Sequence, residues 1–408
     1  MVKARQLRIL SFVPDGFPTF RPDVTTLFGK YLPKYGVSTD IVVQANSSNE
    51  GETSWGGGGL HLCPGSTSSL VRKIRLFVSA TVAVLRLPGK DVDIVQVRDS
   101  PFVGAVWLLA SWLWRKPFVY WMSYPMSEDL LARSREDKSA RLFKKLGWWL
   151  RGWIGVHLLY KLVLPNASHV FVQSERMRDD VHGQGIPREK VTPVVMGVDP
   201  EEMDASRLTP IRDPRVGNGR VVAYLGTLSR IRGLDFLLDV HRRVTKVEKD
   251  VVLLLIGDAD HPSDRTWLER EIHSRGMQGC VCITGWLPRE EATRYVLGAD
   301  IAVSPFKPSF LLDSCSPTKL VEYLALGKAV VASSQPDQKA VLQGSQAGLC
   351  VPHEVDAFAN AILELLSNGS LRADMESRGP PYVRSVRSYS VIASHLSEVY
   401  RHIAATAL

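Results

Sequence analysis

Residues 220–258 read RVVAYLGTLSRIRGLDFLLDVHRRVTKVEKDVVLLLIGD. This pattern predicts a strand over Arg220–Gly226, a helix over Gly233–Val247 and a second strand over Val251–Ile256. Both strands are short and mostly apolar, as in parallel sheets that helices cover on both faces. The stretch therefore predicts a strand–helix–strand unit with a glycine turn after each strand.

The same alternation runs through the rest of the chain. Further strands are predicted over Val281–Thr284, Ile301–Ser304 and Ala329–Ser333, and, in the first half, over Leu7–Val13, Thr39–Val43, Ile94–Val97, Phe118–Met122 and Val170–Val172. A helix is predicted over Val24–Tyr35, ended by Gly36. Alternating strands and helices predict an α/β fold with two Rossmann-like, doubly wound domains facing a central crevice. Ligands of such sheets bind beyond the carboxyl ends of the strands, so we expect the functional residues there.

The domain boundaries follow from length and from one polar stretch. A chain of 408 residues exceeds one ordinary hydrophobic core, which favours two domains. We place the N-terminal domain at residues 1–199 and the C-terminal domain at residues 220–385. The polar segment 200–219, which contains three prolines and two glycines, is predicted to be a linker. Residues 386–408 are predicted to form a helix that packs back toward the N-terminal domain.

Composition excludes several classes of protein. The chain is 45% hydrophobic and 23% charged, as a globular protein requires, and its five cysteines lack the spacing of a zinc site. The apolar run near the N-terminus is too short for a signal peptide, and no run reaches the ~20 residues of a spanning helix. We therefore expect a cytoplasmic protein without a metal. The net charge of +8 leaves nucleic acid, anionic membranes and anionic small molecules as partners.

Two loops at predicted strand ends carry candidate binding groups. Gly226–Gly233 places small residues and Arg232 just before a helix, and a helix N-terminus beside an arginine favours a phosphate. Thr284–Pro288 can hold a planar base against its backbone groups. A surface turn with incidental arginines is the alternative for the first loop, and a plain strand-to-helix turn is the alternative for the second.

The stretch SPTKLVEYLALGKAVV, residues 316–331, is the most specific signal in the chain. Ser316 is the predicted N-cap of a helix, with Pro317 at its first position. Lys319 and Glu322 are three residues apart and share one face of that helix. A carboxylate one turn inside a helix, opposite a phosphate-binding loop, is well placed to hold ribose hydroxyls. A solvated Lys–Glu pair on an ordinary helix is the alternative.

These residues resemble the retaining GT-B glycosyltransferases of glycosyltransferase family 4. The resemblance covers nearly the whole chain and includes NASHVFVQS at residues 166–174 and VMGVD at residues 195–199. It implies that a sugar moves from a UDP- or GDP-linked donor, with retention and without a metal, to a lipid-linked or glycan acceptor. It also implies a role in the synthesis of cell-surface polysaccharides or glycolipids. No cofactor is implied beyond the nucleotide-sugar, which is the donor substrate.

The resemblance assigns roles to individual residues. It implies that Arg232, Lys319 and Glu322 are catalytic, with Arg232 stabilising charge on the departing diphosphate. The implied donor-binding residues are Gly226, Thr227, Arg232, Gly257, Trp286, Leu287, Ser314, Ser316, Pro317, Thr318, Lys319 and Glu322. Three donor-side positions depart from the family pattern. Thr227 replaces a usual arginine, Arg232 replaces a usual lysine and keeps its positive charge, and Ser314 replaces the first of two usual glutamates. Asp313 is the candidate substitute for that missing carboxylate.

The resemblance also implies an acceptor side in the N-terminal half. There the loop Pro14–Phe17 follows the first predicted strand, and Asp15 and Gly16 are its expected contacts with the acceptor. Ser123 follows the strand Phe118–Met122, at a position where many family members carry a histidine. Ser123 is an expected acceptor-side residue, while the polar group that takes the role of that histidine is left unassigned by the sequence.

Seven of the ten tryptophans lie between residues 107 and 153. In RLFKKLGWWLRGWI, residues 141–154, basic and aromatic residues recur at helical spacing, which suits the headgroup region of an anionic membrane. The basic and apolar segment Val71–Val78 would add to that surface. We expect peripheral attachment to the inner face of the cell membrane. The alternative is that the tryptophans pack the core.

Two other functions share this architecture. A sugar-nucleotide 2-epimerase needs acid and base groups across the crevice, and the N-terminal half offers few near its strand ends. A non-catalytic subunit that binds a nucleotide-sugar and supports a partner stays open as an alternative, because the glutamate is missing at position 314. Nucleic-acid binding is not expected, because the basic residues form no recognised module.

Overall fold

The chain is described here by a computed structural model, over residues 6–19, 21–45, 54–64, 69–86, 89–137 and 140–406. It divides into two compact units. Unit 1 comprises Met1–Val195 and Tyr389–Leu408, and unit 2 comprises Met196–Ser388. The chain therefore enters unit 2 after Val195 and returns to unit 1 after Ser388.

The described part of unit 1 contains a parallel sheet of seven strands. The strands are β1 (Leu7–Phe17), β2 (Val37–Ala45), β3 (Leu60–Cys63), β4 (Ile94–Arg98), β5 (Phe118–Met122), β6 (His169–Val172) and β7 (Val191–Pro193). Their order is β3-β2-β1-β4-β5-β6-β7. Alternate residues of β4 enter different hydrophobic clusters, since Val95 and Val97 pack on one face and Ile94 on the other. Burial on both faces explains why the central strands of this sheet are largely apolar.

Helices connect the strands of unit 1. They are α1 (Ser69–Arg86), α2 (Pro101–Trp114), α3 (Met126–Glu136), α4 (Leu142–Leu158) and α5 (Glu175–Gly183), with helical turns at Asp23–Tyr31, Leu32–Tyr35, Gly89–Asp91, Leu159–Val163, Leu164–Asn166 and Arg188–Lys190. The turns that begin at Asp23 end at Gly36, whose φ of 75° is left-handed, as the predicted helix required. Within the predicted segment Val71–Val78, the side chains of residues 71–74 lie outside the described residues.

The C-terminal helix, Tyr389–Thr406, belongs to unit 1. Tyr389, Leu396 and Tyr400 are buried in the same cluster as residues of β1, β4 and β5. The hydroxyl of Tyr400 donates a hydrogen bond to Gln96 on β4, and its ring lies 5.1 Å from the ring of Phe171. The end of the chain is thus part of the core of unit 1.

The described part of unit 2 contains a six-stranded parallel sheet. Its strands are β8 (Arg220–Leu225), β9 (Val251–Ile256), β10 (Val281–Ile283), β11 (Ile301–Ser304), β12 (Val330–Ser333) and β13 (Gly348–Val351). Their order is β10-β9-β8-β11-β12-β13. The segment 200–219, predicted to be a linker, falls within unit 2, where Met203 and Val216 join its core.

Eight helices of unit 2 are described. They are α6 (Leu234–Val244), α7 (Pro262–Ser274), α8 (Arg289–Leu297), α9 (Phe310–Asp313), α10 (Thr318–Ala325), α11 (Pro336–Ser345), α12 (Val355–Ser367) and α13 (Gly369–Tyr382). Helical turns lie at Ala205–Arg207, Pro214–Val216, Arg230–Arg232 and Val383–Arg387. The prediction of two doubly wound α/β domains is confirmed.

The strand order reverses at one point in each unit. That point lies between β1 and β4 in unit 1 and between β8 and β11 in unit 2. At such a point, neighbouring connections leave on opposite faces of the sheet and open a crevice beyond the carboxyl ends of the strands. Each unit therefore has one place where the fold itself favours a ligand site. None of the described helices is both long and apolar enough to cross a membrane.

Candidate active site

Three glycine turns meet at the carboxyl ends of β8, β9 and β10. Gly226 follows β8, Gly257 follows β9, and Gly257 pairs in turn with Gly285 after β10. Gly257 has a φ of 130°, and a Cβ atom on it would lie 2.3 Å from the carbonyl oxygen of Gly226. Only glycine allows this contact, and without side chains the peptide groups of these turns are open to close approach by a ligand.

A buried tyrosine ties α10 to the turn after β8. The hydroxyl oxygen of Tyr323, on α10, accepts a hydrogen bond of 2.8 Å from the backbone N–H of Leu225, the last residue of β8. Burial raises the pKa of Tyr323 well above its usual value, so the phenol stays neutral. The loop that carries Arg232 and the helix that carries Glu322 therefore leave the same edge of the sheet side by side.

The two arginines of the turn Arg230–Arg232 have different environments. The guanidinium of Arg230 lies 3.6 Å from the carboxylate of Asp264 and 5.3 Å from the ring centroid of Trp267. Arg232 is exposed, and no carboxylate among the described residues forms a salt bridge with it. Arg232 is consequently the guanidinium of this turn that is available to an anion.

Glu322 is buried between two cations. Its carboxylate is 3.3 Å from the Nζ atom of Lys319 and 3.8 Å from the guanidinium of Arg289, at the start of α8. The residue is only 5% exposed. Such a carboxylate is fixed in direction, as hydrogen bonding to sugar hydroxyls requires. Arg289 was missed by sequence reasoning, since 33 residues separate it from Glu322.

The N-terminus of α10 differs from the prediction. The helix begins at Thr318, and Ser316 is not its N-cap. The hydroxyl of Ser316 instead donates to Asp337 (2.7 Å) and accepts from the backbone N–H of Met196 (3.0 Å). Asp337 also forms a buried ion pair of 2.7 Å with Arg387. The Ser316 hydroxyl is therefore bonded to a buried ion pair in the interior of unit 2 and does not cap α10.

Ser314 and Asp313 also lie at this point. The buried hydroxyl of Ser314 donates to the carbonyl oxygen of Phe310 (3.0 Å), whereas Asp313 is half-buried at the end of α9. The side-chain N–H groups of Gln335 donate to the carbonyl oxygens of Asp313 (3.3 Å) and Cys315 (2.8 Å). The loop before α10 is therefore fixed by a buried glutamine that sequence reasoning missed. The sequence signal that could have identified Gln335 was its position just after the predicted strand β12, at the edge of the sheet where ligands bind.

The turn after β10 places its two predicted site residues differently. Trp286 is 60% exposed, and Leu287 is half-buried against the core of unit 2. The hydroxyl oxygen of Thr284 accepts a 3.0 Å hydrogen bond from the N–H of Gly257, which joins this turn to the other two. Asp258, the first residue of an Asp-Ala-Asp triplet, pairs with Arg265 at 2.8 Å.

Unit 1 carries a cluster of charged groups at its own point of reversal. Arg98, the last residue of β4, is almost wholly buried and lies 2.5 Å from Asp23 and 3.4 Å from Asp99. The carboxylate of Asp99 accepts hydrogen bonds from the backbone N–H of Ser123 (2.7 Å) and from its hydroxyl. Burial raises the pKa of Asp99, against the opposing effects of Arg98 and Ser123. With a φ of 48°, Asp99 also has a left-handed backbone, which is rare outside glycine.

The predicted acceptor-side residues connect to this cluster through one arginine. Arg21 lies 2.8 Å from Asp15 and 3.5 Å from the hydroxyl of Ser123. The segment Pro14–Phe17, predicted to be a loop, belongs to β1 instead, where Gly16 pairs with Gln44 after a shift in register. The loop prediction was wrong because the bulge keeps a polar stretch within the strand.

Comparison with protein families identifies both units. Residues 24–197 match the glycosyl transferase 4-like domain, and residues 219–368 match the family described as glycosyl transferases group 1. The two matches fall almost wholly within unit 1 and unit 2, respectively. The chain belongs to the family 4 glycosyltransferases with the GT-B fold.

Curated relatives of this glycosyltransferase match it over different lengths. The alpha-D-kanosaminyltransferase of Streptomyces kanamyceticus is 22% identical over 64% of this chain and 66% of its own length. The D-inositol 3-phosphate glycosyltransferase of Corynebacterium urealyticum is 23% identical over 91% of this chain and 88% of its own. The phosphatidyl-myo-inositol mannosyltransferase of Mycobacterium tuberculosis is 30% identical, but over 46% of this chain and 48% of its own. The matches to the kanosaminyltransferase and to the mannosyltransferase therefore cover only part of each of those relatives.

Solved structures share the glycosyltransferase fold over nearly the whole chain. Sucrose-phosphate synthase from Thermosynechococcus elongatus has a TM-score of 0.72 and 16% identity, over 98% of this chain and 100% of its own. Anabaena HepE in complex with UDP has a TM-score of 0.70 and 16% identity, over 97% and 100%. At this identity the likeness concerns the fold alone.

Proposed function

We propose that this glycosyltransferase moves a hexosyl group from a UDP- or GDP-sugar to a lipid-linked or glycan acceptor, with retention of anomeric configuration. The proposed setting is the synthesis of cell-surface polysaccharide or glycolipid at the cytoplasmic face of the membrane. The proposed donor site is the edge of unit 2 where β8, β9, β10 and β11 end.

The observation that carries the proposal is the hydrogen bond between Leu225 and Tyr323. It holds the exposed Arg232 and the buried Glu322 on adjacent segments at the point where the strand order of unit 2 reverses. We assign Arg232 to the diphosphate, because a guanidinium can bind two phosphate oxygens at once. Glu322 is assigned to the ribose hydroxyls, with its direction fixed by Lys319 and Arg289.

Catalysis in this proposal consists mainly of stabilising the leaving group. As the bond from sugar to diphosphate breaks, negative charge grows on the phosphate oxygens. Arg232, assisted by Lys319 and the free N–H groups at the start of α10, would stabilise that charge in place. The glycine turns at Gly226 and Gly257 let the peptide backbone approach the donor.

The acceptor is proposed to lie against unit 1. Asp15, Gly16 and Ser123 are the proposed contacts, and the link through Arg21 gives the first and last of them a common orientation. The names of the mycobacterial relatives, which are phosphatidyl-myo-inositol mannosyltransferases, support a lipid-linked acceptor. The UDP complexes of Anabaena HepE support a nucleotide donor.

One observation favours a second candidate, a non-catalytic subunit that binds a nucleotide-sugar. At position 314, where the family usually has a glutamate, the hydroxyl of Ser314 is buried and bonded to the backbone of Phe310. No side chain at that position can then act on the transferred sugar. Asp313 is the nearest carboxylate in sequence, half-buried at the end of α9.

Donor hydrolysis separates these functions. The purified chain is incubated with a panel of UDP- and GDP-sugars, and free nucleotide and sugar isomers are measured. The proposal predicts slow release of nucleotide from one donor, with the α-anomer of the sugar as product if the donor is an α-linked sugar. Interconversion of sugar isomers would indicate an epimerase, whereas binding without turnover would indicate a non-catalytic subunit.

A further inference from the structure

Helix α4 presents its large apolar side chains to solvent. Phe143 is 87% exposed and Leu142 is 78% exposed, and the two tryptophans Trp149 and Trp153 stack on each other while nearly half exposed. At 100° per residue, these positions and those of Leu146 and Leu150 fall on one face of the helix. We call this set, Leu142, Phe143, Leu146, Trp149, Leu150 and Trp153, the apolar face of α4.

The side of α4 that packs on α3 has glycines at its closest contacts. Gly152 and Gly155 are its buried positions and face α3. A Cβ atom on Gly152 would lie 2.8 Å from the carbonyl oxygen of Ser127, and one on Gly155 would lie 2.5 Å from the hydroxyl of Ser127. A surface helix normally buries its large apolar side chains and exposes polar ones. Helix α4 instead exposes most of its large apolar side chains. The close contacts of its glycines with α3 prevent the helix from rotating about its axis to bury them.

Positive charge flanks the apolar face at unequal distances. At 100° per residue, Lys145 lies about 40° beyond one edge of the face, whereas Arg151 and Lys144 lie about 80–100° beyond the other edge. The residues from 138 to 174 include no Asp or Glu. The ammonium group of Lys144 is 4.8 Å from the ring centroid of Trp148. A helix with an apolar, tryptophan-containing face bordered by Lys and Arg suits the headgroup region of an anionic bilayer.

We propose that the apolar face of α4 docks on an anionic lipid bilayer, with the helix lying in the plane of the headgroups. A second copy of the chain is a poorer fit. In a symmetric dimer the same patch faces itself, so its basic border would meet an identical basic border. Helix α2, which packs against α4, exposes Leu109, Trp112 and Leu113 just before Arg115 and Lys116 and adds a second contact of the same chemistry. This inference adds a docking surface to the proposed function. It rests on the proposed function only for the choice of the cytoplasmic leaflet.

The test is flotation of the full-length protein with vesicles. One set contains phosphatidylcholine alone and the other contains phosphatidylcholine with phosphatidylglycerol. We expect binding to the anionic vesicles that weakens in high salt. Replacing both Lys144 and Lys145 with alanine should lower the partition coefficient roughly fivefold per charge. The double variant Phe143→Glu/Trp149→Glu should not float.

A matched control is Val247→Glu, which adds a glutamate at an exposed apolar position in unit 2 and should float like the wild type. Thermal unfolding shows whether each variant is folded. Flotation of the Phe143→Glu/Trp149→Glu variant at the wild-type level would overturn the inference, as would a wild type that does not float. A dimer that this variant dissociates, without any vesicle binding, would assign the face to a second copy. Donor hydrolysis without vesicles should be unchanged in the variant, which separates this surface from the donor site.

Discussion

The same strand order has different chemistry in the two units of this protein. In unit 1, the ends of β1 and β4 are occupied by Arg98 and two carboxylates that are buried and paired with one another. In unit 2, glycine turns follow β8, β9 and β10, and the site also carries an exposed Arg232 and a buried Glu322 held by two cations. Both places are favoured for ligands by the fold alone. The difference shows that the fold supplies the location, whereas the residues at that location decide what it can bind.

The closed cluster of unit 1 and the open turns of unit 2 suggest different roles. Buried charges that satisfy one another fix the backbone around them, since leaving one unpaired is costly. Asp99 fixes the segment after β5 in this way through Ser123. In unit 2, open peptide groups and an available guanidinium fit a ligand that brings its own negative charge. We therefore expect substitutions in unit 1 to affect mainly stability and those in unit 2 to affect mainly donor chemistry.

The largest expected effect comes from Arg98→Met. This change keeps the side-chain volume but leaves Asp23 and Asp99 without their cation, and should lower the free energy of unfolding of unit 1 by about 3–5 kcal/mol. Urea unfolding followed by tryptophan fluorescence measures it, since eight of the ten tryptophans lie in unit 1. Adding Asp23→Asn should restore part of the loss. A loss below about 1 kcal/mol would mean that the cluster does not stabilise unit 1 as argued.

The next effect is on donor turnover. Arg232→Ala removes the guanidinium from the leaving diphosphate and should lower the rate of donor hydrolysis about 10²–10³-fold. Arg232→Lys should recover part of this rate, because the charge remains while the bidentate geometry is lost. The control is Arg230→Ala, two residues away, whose guanidinium is occupied by Asp264 and Trp267. Equal losses from Arg230→Ala and Arg232→Ala would contradict the proposed role of Arg232.

Acid should destabilise unit 2 through a buried histidine. Burial lowers the pKa of His241 to about 4, and its Nε2 atom lies 3.0 Å from the carbonyl oxygen of Cys280. Between pH 6.5 and 4 the unfolded chain binds a proton that the folded chain does not, so the free energy of unfolding falls as pH falls. The full loss is about 3 kcal/mol. A His241→Gln variant should show a flatter dependence on pH over this window, and an unchanged slope would exclude His241 as the cause.

The smallest expected effect is on nucleotide affinity. Glu322→Gln keeps the shape of the side chain and removes its charge, so hydrogen bonds to the ribose weaken. Affinity for the nucleotide should fall about tenfold, as for one charge-assisted hydrogen bond. Calorimetric titration measures it, and Glu290→Gln, at an exposed position of α8, is the matched control. If both variants bound as the wild type does, Glu322 would have no role in holding the ribose.

The central strands could be predicted from the sequence, whereas three of the four edge strands could not. β8, β9 and β11 are largely buried on both faces and are therefore mostly apolar, which makes them easy to recognise. The strands that were missed, β3, β7 and β13, lie at the edges of their sheets. Edge strands are short and carry residues such as His61, Pro193 and Gly348, which the apolar pattern does not include.

Within the candidate site, the sequence identified the residues that lie in recognisable local motifs. It did not identify residues that reach the site from distant parts of the chain. Arg232, Lys319 and Glu322 lie in stretches whose pattern of small, charged and apolar residues is recognisable. Arg289 and Gln335 contact the same segment from other parts of the chain, and only the fold brings them there. The hydroxyl of Ser316 was assigned to a helix cap because its partner, Asp337, is 21 residues away.

The most direct test of the account is hydrogen exchange on the full chain, with and without UDP and GDP. Backbone N–H groups that bind or are covered by a nucleotide exchange more slowly, residue by residue. One of the two nucleotides should slow exchange in residues 226–233 and 318–322 of unit 2, and leave Asp99 and Ser123 of unit 1 unchanged. Slower exchange confined to the ends of β4 and β5, or none in unit 2 with either nucleotide, would contradict the account.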